Sequence, residues 1–241
     1  MTIESLKKVI ESSNDIVFFG GAGVSTESNI PDFRSENGLY KTKGNMCYAP
    51  ETMLSHSFFY NHTEEFYDFY RNKMIYKDAL PNNAHYALTE LENMGKLKAI
   101  ITQNIDGLHQ LSGSKNVLEL HGSIHRNYCL GCGKHFDLDY IINSKEVVPK
   151  CDECGQVIKP DVVLYEEPLD TEVISKSIKY VSKADVLIIG GTSLVVYPAA
   201  NLVNYYTGNK LVLINKSSTP FDNRADLVLH QNIGEVMKSI L

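Results

Sequence analysis

The chain has 241 residues, of which 43% are hydrophobic and 22% are charged. These are ordinary values for a globular protein and exclude a disordered chain, and at roughly 150 residues per domain they predict one domain with an insertion or two unequal domains. The formal net charge of −6 attracts phosphate backbones only weakly, so the composition disfavours a nucleic-acid-binding protein.

The predicted elements begin with an amphipathic helix over residues 3–10, with Thr2 as its N-cap, and a buried strand over residues 15–19. A second helix begins at Asn82 or Asn83 and ends at Gly95. Further strands are predicted at residues 98–102, 117–120, 186–189, 211–214 and 227–229, with an extended segment at 162–165 and a helix at 171–181. Short apolar strands alternating with helices predict an α/β fold with a parallel sheet covered on both faces.

Two stretches do not follow this alternation. Residues 41–77 are rich in Tyr, Phe, His and Met and are predicted to form a small helical insertion. Residues 126–155 hold two cysteine pairs and few core residues. We expect both stretches to form a smaller domain packed against the sheet.

The longest apolar runs are strand-sized, far short of the roughly 20 residues of a membrane helix. The N-terminal pattern is amphipathic and does not resemble a signal peptide. We therefore predict a soluble cytoplasmic protein with no membrane partner.

Unusual polar segments follow five of the predicted strands, at residues 20–34, 103–109, 121–122, 190–193 and 215–218. Polar loops after strands are common, but in open α/β sheets ligands bind outside the carboxyl ends of the strands. Five such segments at one rim predict one large ligand site.

The first of these segments, residues 21–26, is similar to a phosphate-binding turn, in which glycines let backbone N–H groups approach a pyrophosphate. Thr26 stands where the third glycine of that turn belongs, and the segment could also be an ordinary turn. The acidic residue that binds ribose about 20 residues onward in dehydrogenases has no counterpart here. A dinucleotide would therefore be bound differently.

Two CxxC pairs with 18 residues between them have the spacing of a tetrahedral zinc site, with Cys129, Cys132, Cys151 and Cys154 as ligands. Four thiolates leave no position for water, which predicts one structural zinc ion. A redox pair or plain buried cysteines are the alternatives, and His125 or His135 could substitute as ligands. Cys47 is left over and is interpreted as buried or incidental.

His121 lies between a predicted strand and Gly122, at the rim where the polar segments meet. A neutral imidazole there could act as a general base, although a histidine at a strand end is often structural. Asn104 and Asp106 form a second polar cluster at this rim, or cap the turn before Leu108.

Taken together, these motifs resemble the sirtuins, the NAD-dependent protein-lysine deacylases, and most closely the bacterial and archaeal deacetylase branch. The resemblance rests on residues 21–25, 30–34, 102–106, 121–122, the two CxxC pairs, 159–163, 191–196 and Asn215. It implies a Rossmann-type doubly wound domain of residues 1–40, 78–125 and 156–241. The insertions 41–77 and 126–155 would then form the small zinc-binding and helical domain.

The resemblance also implies that NAD is a co-substrate. The acetyl oxygen of acetyl-lysine would attack the ribose carbon and expel nicotinamide, and His121 would activate a ribose hydroxyl that attacks the resulting amidate. Water would then complete the transfer. Asn104 would orient hydroxyls or a water. Lysine, nicotinamide and O-acetyl-ADP-ribose would be the products.

The remaining residues are carried over from the family's motifs. The NAD contacts would be Ala22, Thr26, Phe33, Arg34, Gln103, Ile105, Asp106, His121, Thr192, Ser193, Asn215 and Ile233. The acetyl-lysine peptide would add as a strand along Val163, Leu164, Tyr165, Glu166 and Glu167.

Two departures from the family pattern affect these expectations. Asn29 replaces a glycine and is expected to keep a left-handed turn, and Glu166 could favour basic peptides. The Tyr-x-x-Arg pair of desuccinylases is absent at Tyr70, so an uncharged acyl group is expected.

An ADP-ribosyltransferase or NAD glycohydrolase is the alternative activity, and a zinc-containing binding module is a third reading. The oligomeric state is left open.

Overall fold

The structure is a computed structural model and describes residues 2–35, 38–39 and 48–240. Its helices are α1 (Ile3–Glu11), α2 (Pro50–Met53), α3 (His56–Asn61), α4 (Thr63–Lys73), α5 (Asn83–Asn93), α6 (Leu108–Leu111), α7 (Leu138–Asn143), α8 (Thr171–Lys183) and α9 (Ile233–Lys238). Its strands are β1 (Ile16–Gly20), β2 (Leu97–Thr102), β3 (Val117–Glu119), β4 (Gly122–Cys129), β5 (His135–Phe136), β6 (Ile158–Val162), β7 (Val186–Gly190), β8 (Lys210–Ile214) and β9 (Leu227–Leu229). Within these ranges no helix is long and apolar enough to span a membrane.

Six parallel strands form the larger sheet in the order β3-β2-β1-β7-β8-β9. The chain fills one side of β1 first, returns to pair β7 with β1, and then fills the other side. This is the doubly wound arrangement predicted from the sequence, and its switch point lies between β1 and β7.

Both faces of this sheet are covered. In β1, Phe18 packs into a core with α1, α5 and α9, whereas Phe19 packs into a second core with α8 and the 3-10 helix Ala199–Tyr205. Successive residues of a strand point to opposite faces, so a strand buried on both faces has an uninterrupted apolar sequence. The predicted strand positions are confirmed within two residues.

The predicted helix caps are also confirmed. Thr2 accepts the N–H of Ser5 at the start of α1. Asn82 is the N-cap of α5 and forms a reciprocal capping box with His85. Local polar side chains therefore determine where these helices begin.

A three-stranded antiparallel sheet, β5-β4-β6, forms a separate layer. It shares a third core with α2, α3, α4 and α7, built largely from aromatic side chains of α3 and α4. The helices predicted in residues 41–77 are confirmed from Pro50 onward, while residues 41–47, with Cys47, lie outside the described residues. The extended segment predicted at 162–165 begins at the last residue of β6, Val162, and ends at Tyr165, which forms an isolated parallel bridge with Ser55.

Candidate active site

The polar loops predicted to meet do so at the switch point between β1 and β7. The loop after β1 approaches the loop after β7 so closely that Gly23 N–H donates to Gly191 O at 2.8 Å. A Cβ at Gly23 would lie 2.7 Å from Gly191 Cα, and Gly191 itself has a left-handed φ of 59°. Both glycines are needed for this contact, which brings the predicted phosphate turn beside Thr192.

Ser25 is the centre of a buried polar cluster. Ser25 is only 1% exposed. Its hydroxyl donates to Asp106 Oδ2 at 2.7 Å and accepts a hydrogen bond from Asn104 Nδ2 at 3.0 Å. The three side chains come from the loops after β1 and β2. The sequence analysis placed Asn104 and Asp106 in the site and did not assign a role to Ser25, although Ser25 lies within the same glycine-rich motif.

Asp106 is held at the base of this cluster. Burial raises the pKa of its carboxyl group, while hydrogen bonds from Leu108 N–H and the Ser25 hydroxyl act in the opposite direction. Its backbone carbonyl lies 3.0 Å from His125 Nε2. His125 therefore contacts this loop, and the zinc site does not need it as a ligand in place of a cysteine.

Gln103 and Thr192 connect the loops after β2 and β7. Gln103 Nε2 donates to Thr192 Oγ1 at 3.2 Å, and Thr192 Oγ1 also accepts Leu194 N–H at 3.3 Å. Thr26 Oγ1 donates to Gly23 O at 3.0 Å. These hydroxyl and amide groups line the same rim.

The other predicted NAD contacts are more spread out. Ala22 begins the 3-10 helix Ala22–Val24, Ser193 is partly exposed beside Thr192, and Asn215 donates through Nδ2 to Ser217 O. Ile233 is only 4% exposed and packs into the core against Gly190. Its side chain is therefore part of the core of the larger sheet.

Phe33 and Arg34 follow the predicted turn at Asn29, whose φ of 63° confirms the left-handed conformation. Phe33 is partly buried against the small-domain core, together with Ile105. Arg34 is exposed, and its N–H donates to Asp32 Oδ1 at 3.2 Å. This segment joins the nucleotide loop to the small sheet.

Glu27 is a further residue that the sequence analysis did not assign. Its carboxylate accepts Gly234 N–H at 2.7 Å. The contact joins positions 207 residues apart, so no local pattern could reveal it. It holds α9 against the loop that carries Thr26.

The ring of His121 lies under the loop after β2. His121 Nδ1 lies 2.9 Å from Gln103 O, and a carbonyl oxygen can only accept a hydrogen bond. Nδ1 therefore carries the proton, which leaves a lone pair on Nε2. Burial lowers the pKa of His121, although the bond to Gln103 opposes this shift, so the ring is neutral near pH 7 and suited to accept a proton.

Gly122 shows why the chain can turn so sharply after His121. Its φ is +74°, and a Cβ there would overlap the carbonyl oxygen of Asp161 on β6. The His121 carbonyl in turn accepts Val163 N–H at 3.0 Å. His121 and the predicted peptide segment are therefore in direct contact.

The predicted peptide segment is held along one edge by residues 54–57. Tyr165 N–H donates to Leu54 O, and His56 N–H donates to Tyr165 O, both at 2.9 Å. Glu166 does not extend into open space, since its carboxylate accepts Ser57 N–H at 2.8 Å and the Ser57 hydroxyl at 3.0 Å. Glu166 is nevertheless exposed, and its carboxylate keeps its negative charge, so a preference for basic peptides stays a prediction.

The four cysteine sulfurs of Cys129, Cys132, Cys151 and Cys154 lie within 4.8 Å of one another. Two of the separations, Cys129 to Cys154 and Cys132 to Cys151, are 3.3 and 3.6 Å. These are too long for a disulfide bond and close to the edge of roughly 3.8 Å in a tetrahedron of Zn–S bonds. The four sulfurs therefore fit one structural zinc ion whose coordination shell they complete, as predicted.

The two CxxC turns have matching local structures. Gly133 and Gly155 end them with φ of 74° and 71°, and Gly131 N–H donates to Cys129 Sγ at 3.3 Å. Lys134 joins the turns through Asp152 and Glu153 at 2.8 and 2.9 Å. Thiolates held in this way favour zinc over a redox-active pair.

Comparisons with known proteins agree with this geometry. The Sir2 family pattern matches residues 21–198. A protein of Clostridium acetobutylicum named NAD-dependent protein deacetylase is 68% identical over 239 residues, covering 99% of this chain and 98% of that protein. A protein of the same name from Clostridium tetani is 69% identical over 240 residues, with coverage of 100% and 97%.

Solved structures give the same result. A Sir2 variant with a deacetylated p53 peptide and 3'-O-acetyl ADP ribose superposes with a TM-score of 0.92 at 39% identity, covering 100% of this chain and 97% of that chain. A Sir2 complex with a p53 peptide and NAD+ gives a TM-score of 0.88 at 38% identity, with the same coverage.

Proposed function

The chain belongs to the Sir2 family, and we propose that it is an NAD-dependent protein deacetylase that removes acetyl groups from lysine side chains. Nicotinamide and O-acetyl-ADP-ribose are its products, and NAD serves as the acetyl acceptor. The observation that carries this proposal is the neutral His121, with its Nε2 lone pair available, between the nucleotide loops and the peptide segment.

The residues divide into four roles in this proposal. His121 Nε2 takes the proton of a ribose hydroxyl, and Asn104 orients hydroxyls or a water from the cluster at Ser25. Ile105 and Asp106 bind the carboxamide of nicotinamide, and Phe33 keeps water away from the reacting carbon. The support is that these side chains converge at the carboxyl ends of β1 and β2.

The nucleotide would lie across the switch point. Ala22, Thr26, Arg34 and Gln103 would contact its phosphates and ribose, and Thr192, Ser193 and Asn215 its adenosine half, with Ile233 beneath. The glycine contact between the loops after β1 and β7 supports this placement, because it leaves backbone N–H groups and small side chains at the rim.

The acetyl-lysine peptide would pair with Val163–Glu167 as an added strand. Tyr165 in this segment is already paired with residues 54–56, so the peptide would pair with the backbone groups of the segment that these contacts leave free. The solved Sir2 complexes with p53 peptides and with an acetylated peptide support a peptide substrate.

The zinc ion supplies a cross-link between the two CxxC turns when bound, and no step of the reaction is assigned to it. We also propose the division into a domain of residues 1–40, 78–125 and 156–241 and a small unit of 41–77 and 126–155. The two separate sheets support it, and the three-stranded sheet extends the small unit to Gly122 and Val162.

Two expectations about partners and location belong to this proposal. We place the protein in the cytoplasm because four reduced cysteines in a metal-type cluster suit a reducing compartment. The net charge of −6 favours protein substrates over nucleic acid. Cell fractionation and a salt-dependent DNA-binding assay test these two points.

The decisive experiment is nicotinamide release from NAD by the zinc-loaded protein, with and without an acetyl-lysine peptide. We expect release that depends on the peptide and an equal amount of O-acetyl-ADP-ribose. Release that is equally fast without peptide would refute the deacetylase and favour an NAD glycohydrolase. ADP-ribose attached to protein would favour the transferase.

A further inference from the structure

Lys159 is a buried lysine to which the proposed chemistry gives no role. It is 4% exposed, and its ammonium donates to Glu167 Oε2 and Val162 O at 3.1 Å and to Pro160 O at 3.4 Å. Three oxygens match the three donors of an ammonium group. A buried charge is costly unless it is paired and fully hydrogen-bonded, so Glu167 is the partner on which this lysine depends.

Glu167 in turn shapes the chain that precedes it. Its Oε2 also accepts Leu164 N–H at 2.9 Å, and its own N–H donates to Leu164 O at 3.0 Å. Its Oε1 lies 3.0 Å from His56 Nδ1. One carboxylate thus closes the turn 164–167 and attaches it to α3.

This turn contains a strained residue. Glu166 has a φ of +75°, a conformation that non-glycine residues keep only where the surrounding contacts determine it. Two contacts hold the turn. The Glu167 carboxylate binds the Lys159 ammonium, and the Glu166 carboxylate accepts the N–H of Ser57. The buried pair therefore opposes the relaxation of the turn.

The geometry points to Lys159 and Glu167 as positioning residues for the acyl-lysine peptide. Neither touches the reacting atoms; they would act through the shape of Val163–Glu167, whose first residue is hydrogen-bonded to the His121 carbonyl. This inference rests on the proposed function, in which that segment receives the peptide. A fully satisfied buried network of this kind specifies one backbone arrangement.

The test is a comparison of Glu167→Gln with the parent protein, both loaded with zinc. The amide can still accept Leu164 N–H, but it leaves the Lys159 charge unpaired. We expect the KM for an acetyl-lysine peptide to rise about tenfold, as for other coupled pairs, with kcat and the Kd for NAD changed by less than about threefold. Direct titration of the peptide, followed by fluorescence anisotropy, should show the same loss.

A matched control is the exposed pair of Lys176 and Glu172 on α8, whose atoms are 2.6 Å apart. Glu172→Gln removes the same charge from a lysine–glutamate pair remote from the peptide segment. We expect its peptide KM and its Tm to equal those of the parent protein.

Two further variants keep the inference testable if Glu167→Gln folds poorly. Glu167→Asp keeps the charge but shortens its reach, and should raise the peptide KM, whereas Lys159→Arg keeps the charge and should restore most of the affinity lost in Lys159→Met. A lower Tm with an unchanged peptide KM would show a purely structural role and overturn the inference. A parent protein that binds no acetyl-lysine peptide would instead refute the proposed function, and the inference with it.

Discussion

Two histidines in the core should make the protein sensitive to acid. His85 on α5 and His109 on α6 are 0% and 1% exposed, and their ring centroids are 4.7 Å apart. His85 Nδ1 accepts Asn82 N–H, whereas His85 Nε2 and both His109 nitrogens have no hydrogen-bond partner among the described residues. Neither ring has a nearby acceptor that would stabilise a second proton.

Burial lowers the pKa of His85 to about 4, compared with about 6.5 in an unfolded chain. Burial also lowers the pKa of His109 well below its ordinary value, and the neighbouring His85 lowers it further. Between pH 6.5 and 4 the unfolded chain therefore binds a proton that the folded protein does not. The free energy of unfolding falls as the pH falls, by about 1.4 kcal/mol per unit and per histidine.

At pH 5, His85 alone should cost about 2 kcal/mol of stability relative to pH 7, and His109 adds to this loss. The measurement is urea unfolding of zinc-saturated protein at both pH values. His85→Gln, whose amide oxygen can still accept Asn82 N–H, should lose about 2 kcal/mol less than the parent over this range. Any zinc released by acid affects both proteins and cancels in the comparison.

The half-exposed His62 is the matched control, because its side chain is 41% exposed and His62→Gln removes a histidine without removing a buried one. We expect its loss between pH 7 and 5 to lie closer to that of the parent than to that of His85→Gln. Equal losses in the parent and in His85→Gln would refute the reasoning. They would mean that the buried ring finds a proton acceptor in the folded state.

Three further predictions concern the site. His121→Ala should lower kcat for deacetylation by roughly 10²-fold or more, the usual size of general-base catalysis, while calorimetry shows NAD still bound; near-normal turnover would exclude His121 as the base. Ser25→Ala should raise the KM for NAD by about tenfold, since it removes a hydrogen bond to the buried Asp106 carboxylate; an unchanged KM would mean that the cluster at Ser25 is not part of the nucleotide site. Removing zinc with a chelator should lower the Tm, and turnover should fall only in proportion to the loss of folded protein; a complete loss of turnover in fully folded protein would indicate a catalytic metal.

Much of the fold could be predicted from the sequence because the relevant signals are local. Uninterrupted apolar strands indicated a sheet buried on both faces, Thr2 and Asn82 marked helix starts, and the CxxC spacing indicated the metal site. The antiparallel pairing of β4 with β6 was not predicted, because an apolar run does not show which strand it pairs with. The short helix α7 carried too weak a pattern within the cysteine-containing stretch.

The contacts that make the loops a site required the tertiary structure. Ser25 meets Asp106 from 81 residues away, and His56 meets Glu167 from 111 residues away; a sequence records that these groups are polar but not which ones face each other. The sequence by itself determined a parallel sheet covered on both faces, the zinc ligands and the positions of the polar loops, since propensity and spacing act within a few residues, and the family resemblance added the doubly wound order. Only the packing of β1 against β7 and of β4 against β6 decided the tautomer of His121, the Ser25 cluster and the strained turn at Glu166, because burial and hydrogen-bond pairing depend on neighbours that are distant in the chain.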